Sequence, residues 1–232
     1  MSLIPNKDKA EVVLESSPYY AAYALEPKWN IRLYIRIKRA MDLLLAGSGL
    51  LLLSPVFFLL ALIIKIEDPR GSIIFSQVRV GKGERTFRMY KFRSMVANAE
   101  ELLPALLDQN EIDGAMFKMK KDPRVTKIGY IIRKTSLDEL PQLWNVIRGD
   151  MSLVGPRPPL PREVEIYTTY DKQRLRVTPG CTGLWQISGR NNIDFPQMVE
   201  LDLEYIRNRS IINDLKIIIR TILMLSGSKG AY

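Results

Sequence analysis

Two adjacent carboxylates, Asp138 and Glu139, stand in the stretch SLDELPQLW, inside a strongly basic chain. Such a pair can act as a nucleophile and its partner, or it can simply complement the dipole of a helix that starts there. The plain reading has a specific form: Ser136-Leu-Asp-Glu139 matches a capping box, with Ser136 at the N-cap and Glu139 at N3. Pro141 favours a shifted register with Asp138 as the cap. Pro141 then falls at N3, where its missing N–H costs nothing. In either register Asp138 sits at a helix N-terminus, which holds it ionised and gathers donors suited to phosphate oxygens.

The neighbouring sequence is rich in cations: Lys118, Lys120, Lys121, Arg124, Lys127, Arg133, Lys134, Arg148, Arg157 and Arg162. A solvated basic face is the ordinary meaning of such a run. Arg157 is different, because it lies in GPRPP, where Pro156 and Pro158 stiffen the backbone and fix where the guanidinium points. An Arg held in this way suits bidentate phosphate binding. An ionised carboxylate among phosphate-binding cations is what nucleophilic phosphoryl transfer needs. A divalent metal on the carboxylates would add to this, and oxygen-only ligands favour Mg²⁺. The chain has no histidine, so proton transfer or metal binding here cannot use imidazole. One cysteine, Cys181, excludes an internal disulfide.

The elements that must carry this chemistry are mostly helical. With 232 residues, the chain holds one sizeable domain or a domain with an appendage. Its 34 Lys and Arg against 25 acids give a formal charge of +9 and point to an anionic partner. Residues 1–30 read as a flexible segment. Leu43 to Ile64 is almost wholly apolar, and a straight helix of that length reaches roughly 33 Å, enough to cross a bilayer core. Ser54-Pro55 interrupts it, however, and basic residues flank both ends. A kinked, re-entrant helix satisfies both features; a spanning helix and a buried core helix remain the alternatives. Asp42, at the entrance, is expensive in lipid and is expected to pair with an Arg or Lys.

Ser72–Val80 and Thr86–Arg93 read as a β-hairpin, and helices are expected over Met95–Leu107, Glu163–Leu175 and Phe195–Arg209. GDMSLVGPRPPLP is too rich in Gly and Pro for regular structure. Near the C-terminus Lys216 and Arg220 share one stripe. Leu215, Ile218, Ile219, Ile222 and Leu225 form an apolar arc, as in a basic amphipathic helix at a headgroup plane or an ordinary core-facing helix with a solvated stripe, and the apolar segment upstream favours the first. The predicted class is α+β and mostly helical: residues 31–66 form an amphipathic lead-in and re-entrant helix, and 67–232 a cytoplasmic catalytic domain.

Taken in order, KRAMDLLLA, the Ser-Pro in the apolar helix, FSQVRVGKGERTFRMYKFRSM, RKTSLDELPQLWNVIRGDMSLVGPRP and TPGCTGLWQISGR resemble the bacterial sugar transferases, the monotopic polyprenyl-phosphate phosphoglycosyl transferases. The likeness runs from about Lys38 to the final GAY. It implies an enzyme on the cytoplasmic face of the bacterial inner membrane. There it would move a sugar-1-phosphate from a UDP-sugar to undecaprenyl phosphate and release UMP, the first membrane step of exopolysaccharide, capsule or O-antigen assembly. By motif position Asp138 is the nucleophile, forming a phosphosugar–aspartate intermediate assisted by Mg²⁺, and Glu139 its partner. Lys91, Arg93, Arg133 and Arg157 match basic positions that contact phosphates. Longer members share the loop with Trp185, Gln186 and Arg190 but carry preceding transmembrane helices, so an excised catalytic part or a short relative is expected. Those longer members favour galactose or glucose.

The competing class is a catalytically inert membrane-surface module that holds the partners of a glycan assembly complex by charge, with lipid binding that weakens as salt rises. Nucleic-acid binding would leave the apolar segment unexplained and matches no motif. The sequence leaves room for a homo-oligomer.

Overall fold

The computed structural model describes residues 31–109, 119, 121–189 and 193–226. The 1–30 segment, Lys118, Lys120 and Arg190 lie outside the described residues. The chain opens with helices α1 (Ile31–Leu52) and α2 (Ser54–Glu67), bent by 58° where they meet. Pro55 has no N–H for the Leu51 carbonyl, and the Ser54 hydroxyl donates to that oxygen instead, at 2.7 Å. No single described helix is long and apolar enough to cross a membrane, whereas the bent pair together has that length and composition. Around the bend Leu44, Leu51, Leu52 and Phe58 are 71–77% exposed. An apolar surface so large marks a contact with lipid or a partner.

Next comes the hairpin, β1 (Ile74–Val80) paired antiparallel with β2 (Thr86–Phe92). Phe75 lies opposite Lys91, Gln77 opposite Met89 and Arg79 opposite Phe87, so these six share one face. Where a continuous helix was expected over Met95–Leu107, Met95 bridges Val125 and only α3 (Ala99–Leu102) is α-helical. Pro104, which lacks the N–H an α-helix would need, starts a tighter 3₁₀ turn, Pro104–Gln109.

After α4 (Lys127–Lys134), a 3₁₀ turn at Leu137–Glu139 and α5 (Gln142–Arg148), the Gly- and Pro-rich stretch holds more order than its composition suggested. β3 (Ser152–Val154) pairs in parallel with β4 (Gly180–Thr182). Glycine makes this possible: a Cβ on Gly180 would lie 2.0 Å from the Gly155 nitrogen. The helix expected over Glu163–Leu175 is also broken, leaving α6 (Pro161–Val164) and a later 3₁₀ turn, Asp171–Arg176. Thr168 and Asp171 bond reciprocally, with the Thr168 N–H donating to Asp171 and the Asp171 N–H to Thr168, so a fresh turn starts there. The chain ends in α7 (Leu184–Ile187), α8 (Phe195–Asn208) and α9 (Ile211–Ser226).

Two apolar clusters join the bent pair to the rest, and a third binds the later elements together. Ala46 packs with Met89, Val146 and Met151; Leu60 and Ile64 pack with Phe92 and Ile132; and Val154, Leu203, Ile206 and Ile217 unite β3, α8 and α9. Polar ties reinforce them. Arg39 donates to the last carbonyls of α5, Val146 and Ile147, at 2.6 and 2.7 Å. Fully buried Asp214 accepts from Lys38, Tyr34 and Tyr205 at 2.8–2.9 Å. Asp42 departs from expectation: its carboxylate is buried against the protein and accepts from the Leu153 N–H at 3.0 Å, a backbone partner in place of a cation. On α9 the expected arc is only partly outward. Leu215, Ile219, Ile222 and Leu225 are exposed, while Ile218 packs on the core.

Candidate active site

Local backbone geometry places Asp138. Helix α4 ends at Lys134, and Ser136 takes φ +56°, the left-handed position that terminates helices, with its N–H donating to the Arg133 carbonyl at 3.1 Å. Ser136 therefore closes the preceding helix, and its side chain caps nothing in the next. Asp138 is not the cap either. It sits on the Leu137–Glu139 turn, and Pro141 heads α5. Both registers drawn from the sequence give way to this one.

The electrostatics change accordingly. Asp138 is only 7% exposed. Burial pushes its carboxyl up to about 6; Lys91 opposes the rise, Glu139 adds to it, and Arg133 opposes it. A helix terminus was expected to hold it firmly ionised. Instead it is a desolvated carboxylate whose charged form still prevails at neutral pH.

Lys91 reaches the pair from β2, its Nζ 2.7 Å from Glu139 Oε1 and 3.8 Å from Asp138 Oδ2. Fully buried Asn145 fixes that strand. Its Oδ1 accepts from the Tyr90 N–H at 3.0 Å and its Nδ2 donates to the Arg88 carbonyl at 2.7 Å, so α5 supplies the partner that a third strand would have supplied. Arg133 approaches from α4 with Nε 2.8 Å from Ser94 Oγ. Gly129 permits this close packing: a Cβ there would lie 2.0 Å from the Ser94 carbonyl oxygen.

Arg157 sits on the loop between β3 and α6, whose backbone is held by the Gly180 N–H on the Pro156 carbonyl at 2.9 Å. The same loop covers Arg79, a residue the sequence reading missed. Arg79 is 6% exposed and donates to the Pro158 carbonyl at 3.0 Å and to Gln77 Oε1 at 2.6 Å. Burial pushes its pKa down to about 10; Arg157's charge adds to this, and Glu163 and Glu139 oppose it. Strand alternation carried the signal, because Gln77 and Arg79 fall on the Lys91 face. Arg93 is engaged by Asp68: its guanidinium donates to that carboxylate and, at 2.8 Å, to the Asp68 carbonyl, fastening the exit of α2 to the end of β2. Lys91, Arg133, Asp138 and Glu139 thus converge, and the charges of Arg157 and Glu139 both act on Arg79.

Among the described residues no group of three or more His, Cys, Asp or Glu could hold a metal ion alone. Asp138 and Glu139 still suit Mg²⁺, which commonly takes one or two carboxylates together with substrate phosphates.

A family model described as bacterial sugar transferase matches residues 33–227. The chain is 48% identical over 213 residues to the galactosyl transferase CpsE of Streptococcus agalactiae, covering 91% of this chain and 47% of that one. It is 44% identical to the undecaprenyl-phosphate galactose phosphotransferase of Salmonella typhimurium, over 84% of this chain and 42% of the relative. With the exopolysaccharide production protein ExoY of Rhizobium meliloti it shares 43% identity, over 84% of this chain and 88% of the relative. The chain spans less than half the length of the first two and most of the third.

Proposed function

Because this chain belongs to the bacterial sugar transferase family, we propose that it is an undecaprenyl-phosphate hexose phosphotransferase. It takes a sugar-1-phosphate from a UDP-sugar and places it on undecaprenyl phosphate at the cytoplasmic face of the inner membrane, as an early step of exopolysaccharide, capsule or O-antigen assembly. The observation that carries the reading is Asp138, buried yet ionisable near neutral pH, beside Lys91 and Arg133. Galactose is the first candidate sugar, since two of the relatives carry it in their names.

In the first half-reaction an Asp138 oxygen attacks the β-phosphorus of the donor. The bond from that phosphorus to the bridging oxygen breaks, and UMP departs with the electron pair. In the second, an oxygen of undecaprenyl phosphate attacks the same phosphorus and Asp138 leaves as a carboxylate. Neither half consumes a proton, so the absence of histidine costs nothing. Lys91, Arg133 and Arg157 hold phosphate oxygens and offset the repulsion between a carboxylate and a diphosphate. Mg²⁺, held by Asp138 and Glu139 with the diphosphate, would supply further charge neutralisation. The bent helix pair enters and leaves the membrane on one side, which keeps the site where nucleotide sugars are made.

Incubating the protein with Mg²⁺ and UDP-galactose radiolabelled in the sugar, without lipid acceptor, is expected to label the chain and release UMP. Asp138→Asn abolishes both. A donor that supports turnover but leaves no label would eliminate the two-step route. No UMP release from UDP-galactose, UDP-glucose or the UDP-N-acetylhexosamines would transfer the reading to an inert membrane-surface module.

A further inference from the structure

A cavity of about 450 Å³ opens between α7, α8 and α9, within the range of small-ligand sites (~300–1,000 Å³). Arg207, Lys216 and Arg220 lie on its wall, with Ser210 and Asn213 as neutral polar groups and Glu204 as an opposing carboxylate. The elements that carry Asp138, Glu139, Lys91, Arg133 and Arg157 contribute nothing to it.

Its charge is unbalanced. Two of its cations, Lys216 and Arg220, form no salt bridge among the described residues. Asp214, in the first turn of α9, does not correct this. It is fully buried on another side of the helix and already satisfied by Lys38, Tyr34 and Tyr205. The adjoining surface of α9 is apolar and exposed: Leu215 is 41% exposed, Ile219 56%, Ile222 59% and Leu223 64%. On the helical repeat, Lys216 and Arg220 stand between this stripe and the buried side of the helix, so one edge of the cavity is lined by the stripe's own neighbours. The Asp214 contacts bind this end of α9 to Tyr34 and Lys38, the part of α1 that leads into the apolar bend. The cavity therefore lies level with the entrance of the bent pair. Cationic depth beside an apolar stripe at that level matches one ligand shape: a charged head with acyl chains.

We propose that this cavity binds the headgroup of an anionic glycerophospholipid, its phosphate held by Lys216 and Arg220 with Arg207, and its acyl chains lying along Leu215, Ile219 and Ile222. The site rests on the membrane reading above but not on the catalytic one.

The full chain in neutral detergent is titrated by calorimetry with short-chain phosphatidylglycerol, with phosphatidylcholine of the same chains, and with glycerol 3-phosphate. Saturable binding of phosphatidylglycerol alone is expected. Lys216→Gln with Arg220→Gln should weaken it at least about tenfold. Glu204→Gln should tighten it, and Lys82→Gln with Arg85→Gln, which removes two exposed charges at the hairpin turn, should leave it unchanged. Equal losses in both double variants would reduce the effect to overall charge and overturn the site. Equal binding of glycerol 3-phosphate would also overturn it, in favour of a soluble phosphate. UMP release on the same samples separates the two readings: lipid selectivity without UMP leaves this site standing and sinks the enzyme, and UMP without selectivity does the reverse. Melting curves of all variants confirm that the fold is retained.

Discussion

At Asp138, burial raises the carboxyl from its ordinary range to about 6. The sign of the linkage follows. A carboxyl whose pKa is higher folded than unfolded binds more protons when folded, so its penalty on stability is absent below the ordinary value of 3.8, grows as pH rises from there to about 6, and is complete above. Asp138→Asn should therefore abolish transfer while raising stability at pH 7.5 by about 1–2 kcal/mol, read by melting temperature. Loss of stability together with activity would mean that the carboxylate holds the fold. Intermediate formation should decline about tenfold per pH unit below 6, because only the ionised oxygen attacks phosphorus. Ser136 supplies a separate test. A serine at φ +56° is strained, so Ser136→Gly should stabilise by about 0.5–1 kcal/mol in denaturant melts. No gain would show that the neighbouring turn relieves the strain.

Among the elements, α5 is the one on which the site depends. It heads off from the Asp138 turn and at Asn145 closes the free edge of the strand that bears Lys91. Asn145→Ala leaves a buried N–H and a buried carbonyl unpaired, a loss of about 1–3 kcal/mol, and should lower turnover more than donor binding. A variant with wild-type kcat would detach strand position from chemistry. The same elements show what the sequence made legible. The β-prone runs Ser72–Val80 and Thr86–Arg93 on either side of GKGER specified the hairpin, and the dyad stood out against its cations. What escaped depends on contacts distant in sequence. Ser136 reads locally as an N-cap, yet its left-handed backbone closes α4. Asn145 reads as one polar residue in a helix and acts as a strand partner. Gly155 and Gly180 read as loop and allow a parallel pairing across some twenty-five residues. Arg79 was detectable by strand parity alone, but its burial needed the proline loop above it.

For the whole molecule the testable matter is topology. Arg32→Cys and Arg70→Cys, each with Cys181→Ala, flank the bent pair and should react with an impermeant maleimide from the same side of oriented vesicles. Labelling from opposite sides would replace the re-entrant path with a crossing one. The bend has a local cause, Pro55 with the Ser54 hydroxyl on the Leu51 carbonyl, so Pro55→Ala should shift part of the population towards crossing, read by the same assay.

Helix α1 is bolted at successive points, Lys38 to Asp214, Arg39 to the end of α5, and Asp42 to β3. With such fastenings the bent pair and the turn that carries Asp138 cannot pivot independently. On the re-entrant reading proposed above, bilayers of different thickness would raise or lower the protein as one rigid float, keeping Asp138 at a set height over the interface. On that reading the bend works as a depth gauge, and only phosphates presented at that height would reach Asp138, whatever the length of the chain hanging below.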